Sequence, residues 1–92
     1  MKLHKYWFKF NLTINDPHPV GTLMGGGVTA SSFTEAVSLL RNQVFRSLPM
    51  PSIAKSITDV EMFDLDAKHV LPNMGDSSQR GIWFPLGYEP GS

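Results

Sequence analysis

The chain has 92 residues, of which 41% are hydrophobic and 17% charged, and its eight basic residues balance its eight acidic ones. This length fits one folded domain over residues 1–92 and leaves no room for a second core. The balanced charge argues against a dedicated nucleic-acid-binding domain, because phosphate binding usually requires a basic excess. The lack of cysteine excludes thiol catalysis and cysteine-based zinc sites.

The N-terminal residues do not follow the pattern of a signal peptide, and no apolar run approaches the roughly 18 residues of a membrane helix. Secreted domains of this size usually depend on disulfides for stability, and this chain can form none. We therefore expect a cytoplasmic protein that needs neither a membrane nor a cofactor.

The clearest periodic signal lies near the N-terminus, where apolar residues occupy every second position: Tyr6, Phe8, Phe10, Leu12 and Ile14. This alternation predicts a half-buried antiparallel strand, with Trp7 on its otherwise polar face. After a proline-containing loop, residues 22–30 predict a second strand, antiparallel to the first. Its central glycines, Gly25–Gly27, mark a bulge or a close approach of another backbone.

A capping box at Ser32 and Glu35 predicts the start of an amphipathic helix of about four turns, in which Glu35 reaches back to the amide of Ser32. The apolar stripe of this helix comprises Phe33, Ala36, Val37, Leu40, Val44 and Leu48. Arg41 is expected to lie largely away from that stripe. Pro49 ends the helix.

Residues 53–63 contain a third strand, in which Ile57 and Val60 do not share an alternating face. Residues 67–71 predict one turn of helix. Gly81–Phe84 forms a fourth strand, which lies at an edge or ends there because Pro85 cannot donate to a ladder. Residues 86–92 look like a tail. The fold class is therefore α+β: a small, mostly antiparallel β-β-α-β-β sheet with one amphipathic helix on one face.

One group of polar residues has metal-binding or acid–base chemistry, namely Asp64, Asp66 and His69. Two carboxylates and an imidazole bind divalent metals or transfer protons in many proteins. The alternative is structural, since aspartates commonly cap short helical turns. No further ligand follows from spacing, so the sequence predicts neither a catalytic residue nor a cofactor.

A second group has the character of a protein-binding surface: Trp7, Trp83, Tyr88, Asp59 and Glu61. Alternation predicts that Trp83 points away from Ile82 and Phe84, so that both tryptophans lie on the sheet face opposite the helix. Exposed aromatic residues are frequent anchors in interfaces. The alternative is that the tail, with Tyr88, folds back and covers them. The acidic residues suit a basic partner.

Two strings of residues are distinctive. The first is Gly27–Ala30 leading into Glu35-Ala36, and the second is His69–Gly75 followed by Arg80–Pro85. Together they resemble a group of small bacterial proteins of unknown function. The resemblance implies a compact bacterial domain and carries no activity to transfer.

The leading hypothesis is a non-enzymatic protein-binding module, such as a bacterial immunity protein or antitoxin that inhibits a cognate toxic enzyme by covering its active site. One alternative is a small metal- or ligand-binding domain, or an enzyme, that uses Asp64, Asp66 and His69. Another alternative is an accessory subunit, or a homodimer joined through an edge strand.

Overall fold

A computed structural model of the chain describes residues 2–19, 21–46, 48–61, 65, 68 and 70–85. In chain order its elements are β1 (His4–Phe10), β2 (Gly26–Ala30), α1 (Phe33–Leu39), β3 (Ile53–Thr58) and β4 (Gly81–Phe84). A π-helical turn, Leu40–Val44, continues α1, and a 3₁₀ turn, Leu71–Asn73, precedes β4. The predicted α+β class and the β-β-α-β-β order are confirmed. Within these ranges, no helix has the length and apolar character needed to cross a membrane.

The strands form one antiparallel sheet in the order β3-β1-β2-β4. β1, which shows the strongest alternation in the sequence, occupies a central position and pairs with both β2 and β3. β4 is an edge strand, as the proline after it requires. β3 forms the other edge and has only exposed or half-buried residues.

The second strand is shorter than predicted, because its first half forms turns. The amide of Met24 donates to the carbonyl of Gly21 at 3.1 Å, and that of Gly25 to the carbonyl of Thr22 at the same distance. Gly25 has a φ of 131°, which favours glycine strongly over any residue with a side chain. The strand therefore begins at Gly26, not at Thr22.

The helix begins at the predicted cap, since the Ser32 hydroxyl accepts a hydrogen bond from the amide of Glu35 at 3.1 Å. The return bond differs from the prediction: the Glu35 carboxylate accepts from the amide of Ser31, at 2.8 Å, rather than from that of Ser32. The same carboxylate pairs with Arg80 in the turn before β4. The start of α1 is thus tied to the start of β4.

These contacts give the stability a defined dependence on pH. The hydrogen bond from the Ser31 amide, and then the Arg80 guanidinium, hold the pKa of Glu35 below its ordinary value of 4.5. The native carboxylate therefore binds protons more weakly than the unfolded one. Its stabilising effect is present above about pH 4.5 and is lost as the pH falls through the lower native pKa.

We therefore expect the Glu35→Gln variant to lose less stability than the unmodified chain when the pH is lowered from about 6 to about 3. Urea unfolding followed by circular dichroism at each pH measures this difference. Glu61→Gln, at an exposed position, controls for the loss of one negative charge. The same dependence on pH in the Glu35→Gln variant and the unmodified chain would contradict the role of this carboxylate.

Each face of the sheet is covered by an apolar cluster. The helix-side core lies beneath α1 and consists of Tyr6, Phe8, Phe10, Val28, Ala30, Ala36, Leu40, Val44, Phe45 and Ile82. The opposite-side core consists of Val60, Leu65, Val70, Trp83 and Phe84, with Trp7, Met24, Ile57, Leu71 and Met74 packed against it. The sheet is therefore a middle layer, whereas the sequence predicted a helix on one face and gave the C-terminal tail as the alternative cover of the other.

A break in strand register places Trp83 and Phe84 in the same core. Val28 pairs with Ile82, but Gly27 pairs with Phe84, so the extra residue on β4 is Trp83. Such a bulge places two successive side chains on one face. The prediction that Trp83 and Phe84 point in opposite directions is therefore wrong.

Ile57 and Val60 also reach one core, for a related reason. Asp59, just beyond β3, has a φ of 57°, and the amide of Val60 donates to the carbonyl of Lys5 at 3.0 Å. Because Asp59 has a left-handed backbone conformation, the alternation of side chains between the two sheet faces is interrupted after β3. Ile57 and Val60 therefore both contact the opposite-side core.

Candidate functional site

The tryptophans lie on the predicted sheet face, but Trp83 is not exposed. Its side chain is 1% accessible to solvent and packs with Val60, Leu65 and Val70, from the segment between β3 and β4. Trp7 is half-buried, and its ring lies 6.0 Å from that of Trp83 in a stacked arrangement. The prediction of Trp83 as an exposed anchor is therefore wrong, because residues between β3 and β4 cover this face.

Trp83 is held by polar as well as apolar contacts. Its indole Nε1 donates to the hydroxyl of Thr29 at 3.1 Å, and that hydroxyl donates to the carbonyl of Ser77 at 2.6 Å. The amide of Gly75 donates to the main-chain carbonyl of Trp83 at 2.6 Å. A buried indole usually requires such a partner, and here the partners join β4, β2 and the preceding loop.

The two acidic residues predicted for partner binding, Asp59 and Glu61, are exposed. The Asp59 carboxylate lies 2.8 Å from Nδ1 of His4, and its side chain is 61% accessible. It therefore keeps an open side toward solvent at the end of β3. Whether either residue binds a partner remains a prediction.

The remaining predicted site residues fall outside the part of the chain that the structure describes: Tyr88, Asp64, Asp66 and His69. The metal-site alternative therefore stays a prediction, and a metal-dependent rise in melting temperature is its test. No group of three or more metal-ligating side chains occurs among the described residues.

A groove that the sequence did not predict runs between α1 and the start of β3. It consists of two adjoining cavities of about 490 and 320 Å³ that share Val37 and Arg41. We call it the α1 groove, and its lining comprises Phe33, Thr34, Val37, Ser38, Arg41, Phe45, Leu48, Pro49, Met50, Pro51, Ser52 and Ile53. Its walls are mainly apolar, as in most binding sites of folded domains.

Local structure explains how the groove forms. The helical part of the chain ends at Val44, ahead of Pro49, and the chain then turns back beside α1 before β3 begins. The prediction of a four-turn helix that includes Leu48 and ends at Pro49 is therefore wrong in length. Phe33 packs against Tyr6 and Phe8 with ring centroids 6.2 and 5.6 Å apart, yet it remains 45% exposed. An apolar wall therefore stays open to solvent along the outer side of the helix.

Among the described residues that line this groove, Arg41 is the one charged side chain. It is exposed, and no carboxylate in the described ranges pairs with it, whereas Arg80 is paired with Glu35. A guanidinium beside apolar walls can bind a carboxylate through two parallel hydrogen bonds. The groove thus combines apolar contact with an available cation.

The sequence contained a signal for this site. Phe33, Val37 and Arg41 are spaced four residues apart, which places them on one side of a helix. The prediction that Arg41 lies largely away from the apolar stripe missed its position at the edge of that stripe. What the sequence did not indicate is that Met50–Ile53 forms the facing wall.

Comparison with known proteins adds no assignment, since no protein-family model, curated protein or solved structure matches the chain. The groove and its surroundings are therefore the features of the molecule that bear on function.

Proposed function

We propose that this chain is a protein-binding module without catalytic activity of its own, and that the α1 groove is its binding surface. The observation that carries the proposal is Arg41, which pairs with no carboxylate of the described residues and lies within an open apolar groove. Its occupant is a segment of a partner protein that presents apolar side chains and a carboxylate. The buried Trp83 has no part in this surface.

Two properties of the groove support a protein partner. Exposed large apolar residues such as Phe33 are favourable to cover when they lie together in a concave surface, and Val37 and Met50 extend that surface. Arginine is enriched in the strongly binding parts of interfaces because it combines charge, planarity and an apolar stem. Arg41 has the position that this role requires.

In the specific form of the proposal, the chain is a cytoplasmic immunity protein or antitoxin, and the partner is a toxic enzyme whose active site it covers. The small size and balanced charge of the chain support this form. Asp59 and Glu61, exposed beyond the end of β3, would face a basic cleft on such an enzyme.

The charge of the groove provides the test. We expect Arg41→Glu to reduce capture of the partner from a lysate of the native host by about tenfold or more, because a charge-assisted contact becomes a repulsion. Arg46→Glu is the matched control, since Arg46 is also exposed but does not line the groove. Quantitative mass spectrometry of the proteins retained by each variant gives the ratio.

Equal capture by both variants and the unmodified chain would contradict the proposed surface. A captured enzyme whose activity falls when the chain is added supports the inhibitor form. A captured protein with no such activity would refute the inhibitor form and leave the binding module in place.

A further inference from the structure

The sheet is wider than the one helix that lies on it. Four strands about 4.8 Å apart make a sheet about 19 Å wide, whereas a helix covers about 10 Å. The backbone of α1 lies over β2 and β4. Over β1, the described residues place the side chains of Phe33 and Phe45, whose rings contact Tyr6, Phe8 and Phe10.

The register of β1 and β3 shows where this cover ends. Phe8 pairs with Ser56, and Tyr6 pairs with Thr58, so all four side chains face the α1 side of the sheet. Phe8 and Tyr6 are buried, at 0% and 4% accessibility, but Ser56 and Thr58 are exposed. An open shelf of two small residues therefore lies next to Phe8 and Tyr6, the two residues that the ring of Phe33 contacts.

The two ends of this shelf have opposite charge. Arg41 and Ile53, the first residue of β3, line the same cavity, and Asp59, which also contacts Nδ1 of His4, follows Thr58 at the end of β3. Ile53 and Asp59 are about 20 Å apart along an extended strand, which equals about 13 residues of helix. The shelf thus has the length of a short helix and a cation and an anion near its ends.

From these features we infer that the occupant of the α1 groove is an amphipathic helix of the partner, lying beside α1 on the shelf of Ser56 and Thr58. This inference rests on the proposed binding function and specifies the class of partner. The helix places apolar side chains against Phe33, Val37 and Met50. It carries a carboxylate that meets Arg41, and a basic residue about three turns away that meets Asp59.

Two other occupants fit the observations less well. An added strand would pair with the outer edge of β3 in the plane of the sheet, and would leave the space above Ser56 unfilled. A second copy of this chain offers, among the described residues, α1 as its one α-helix, and the apolar stripe of α1 already packs on its own sheet. A dimer mass of the free protein in solution would overturn the partner helix as the occupant.

Three synthetic peptides of about 14 residues test the inference. The first has leucines at helical spacing, a glutamate for Arg41 and a lysine about three turns away. The second replaces the glutamate with lysine. The third has the composition of the first, but its leucines alternate as in a strand. Each is titrated into isotope-labelled protein, and amide signals are followed by nuclear magnetic resonance.

We expect the first peptide to shift amide signals in Phe33–Leu39 and Ile53–Thr58, and to bind about tenfold more tightly than the other two. In the Arg41→Glu variant, the preference between the first and second peptides should reverse. Ser56→Phe should lower the affinity for the first peptide about tenfold, because the phenylalanine ring would fill the shelf. Lys55→Phe, on the other face of the same strand, should leave the affinity for the first peptide unchanged.

Tighter binding of the alternating peptide would overturn the helical occupant. So would equal binding of all three peptides, shifts confined to the side of Lys55, or no binding at about millimolar concentration. None of these peptide results would by itself contradict the proposed binding function, which the lysate experiment tests. A lysate partner that still depends on Arg41 would leave the groove as a docking site and remove only its helical occupant.

Discussion

Replacing Trp83 with alanine is expected to lower the free energy of unfolding by about 3–5 kcal/mol, because it empties the centre of the opposite-side core. The side chain is 1% accessible and contacts the stacked ring of Trp7. Its loss also removes the indole donor that bonds the hydroxyl of Thr29. Urea unfolding followed by far-ultraviolet circular dichroism measures the change.

Two variants separate the contributions to this loss. Trp83→Phe keeps much of the apolar volume but not the hydrogen bond to Thr29, so we expect a smaller cost, about 1–3 kcal/mol. Ile14→Ala removes an apolar side chain that is 81% exposed and should change stability by less than about 0.5 kcal/mol. A Trp83→Ala variant as stable as Ile14→Ala would contradict the buried position of the ring.

The second large effect is expected at Gly27. A Cβ atom at this position would lie 2.4 Å from Cζ3 and 2.5 Å from Cη2 of Trp83, closer than any real contact. Trp83 is enclosed by the opposite-side core and has little room to move. We therefore expect Gly27→Ala to destabilise the protein by about 3 kcal/mol, measured by the same unfolding experiment.

Gly26→Ala is the matched control, because the same substitution is made one residue earlier in β2. There the new methyl group would meet side-chain atoms of Leu40 and Phe10 at 3.1 Å, so the cost should be smaller. Gly27→Ala should also lower the free energy of unfolding by much less in a Trp83→Leu background, where the ring is absent. Additive effects of the two substitutions would contradict direct contact between Gly27 and the ring.

The local pattern predicted those features of the fold that local chemistry determines. The alternation in β1 shows which of its side chains lie on each face of the sheet. The Ser32 hydroxyl caps the helix that begins at the next residue. Pro85 follows an edge strand, as the missing amide requires. These signals act within a few residues, so they can be read before the fold is known.

The cover of the opposite face could not be predicted in this way. Alternation shows that Trp7 points away from Phe8, but it does not show which segment comes to lie on it. The bulge at Trp83 depends on pairing with Gly27, which is distant in sequence. The triple glycine predicts a bulge or a close approach of another backbone, and the carbonyl oxygen of Phe8 does lie against Gly25, whereas the group that lies against Gly27 is the Trp83 ring.

The candidate site likewise has one wall that local sequence predicts and one that only the tertiary structure determines. The spacing of Phe33, Val37 and Arg41 places one wall of the groove on a single side of α1. The facing wall depends on where the chain returns after Pro49, which is a tertiary property. The exposure of Ser56 beside the buried Phe8 likewise follows from the path of α1 across the sheet, and no pattern within β3 encodes it.

The most direct test of the binding surface is photo-crosslinking from inside the α1 groove. A benzophenone amino acid replaces Ser38, which is exposed in the groove lining, or Gln79, which is exposed outside it. After irradiation in a native lysate, we predict one major protein adduct from position 38, none from position 79, and loss of the adduct when Arg41→Glu is added. An adduct from position 79 alone, or one from position 38 that Arg41→Glu leaves unchanged, would contradict the α1 groove as the binding surface.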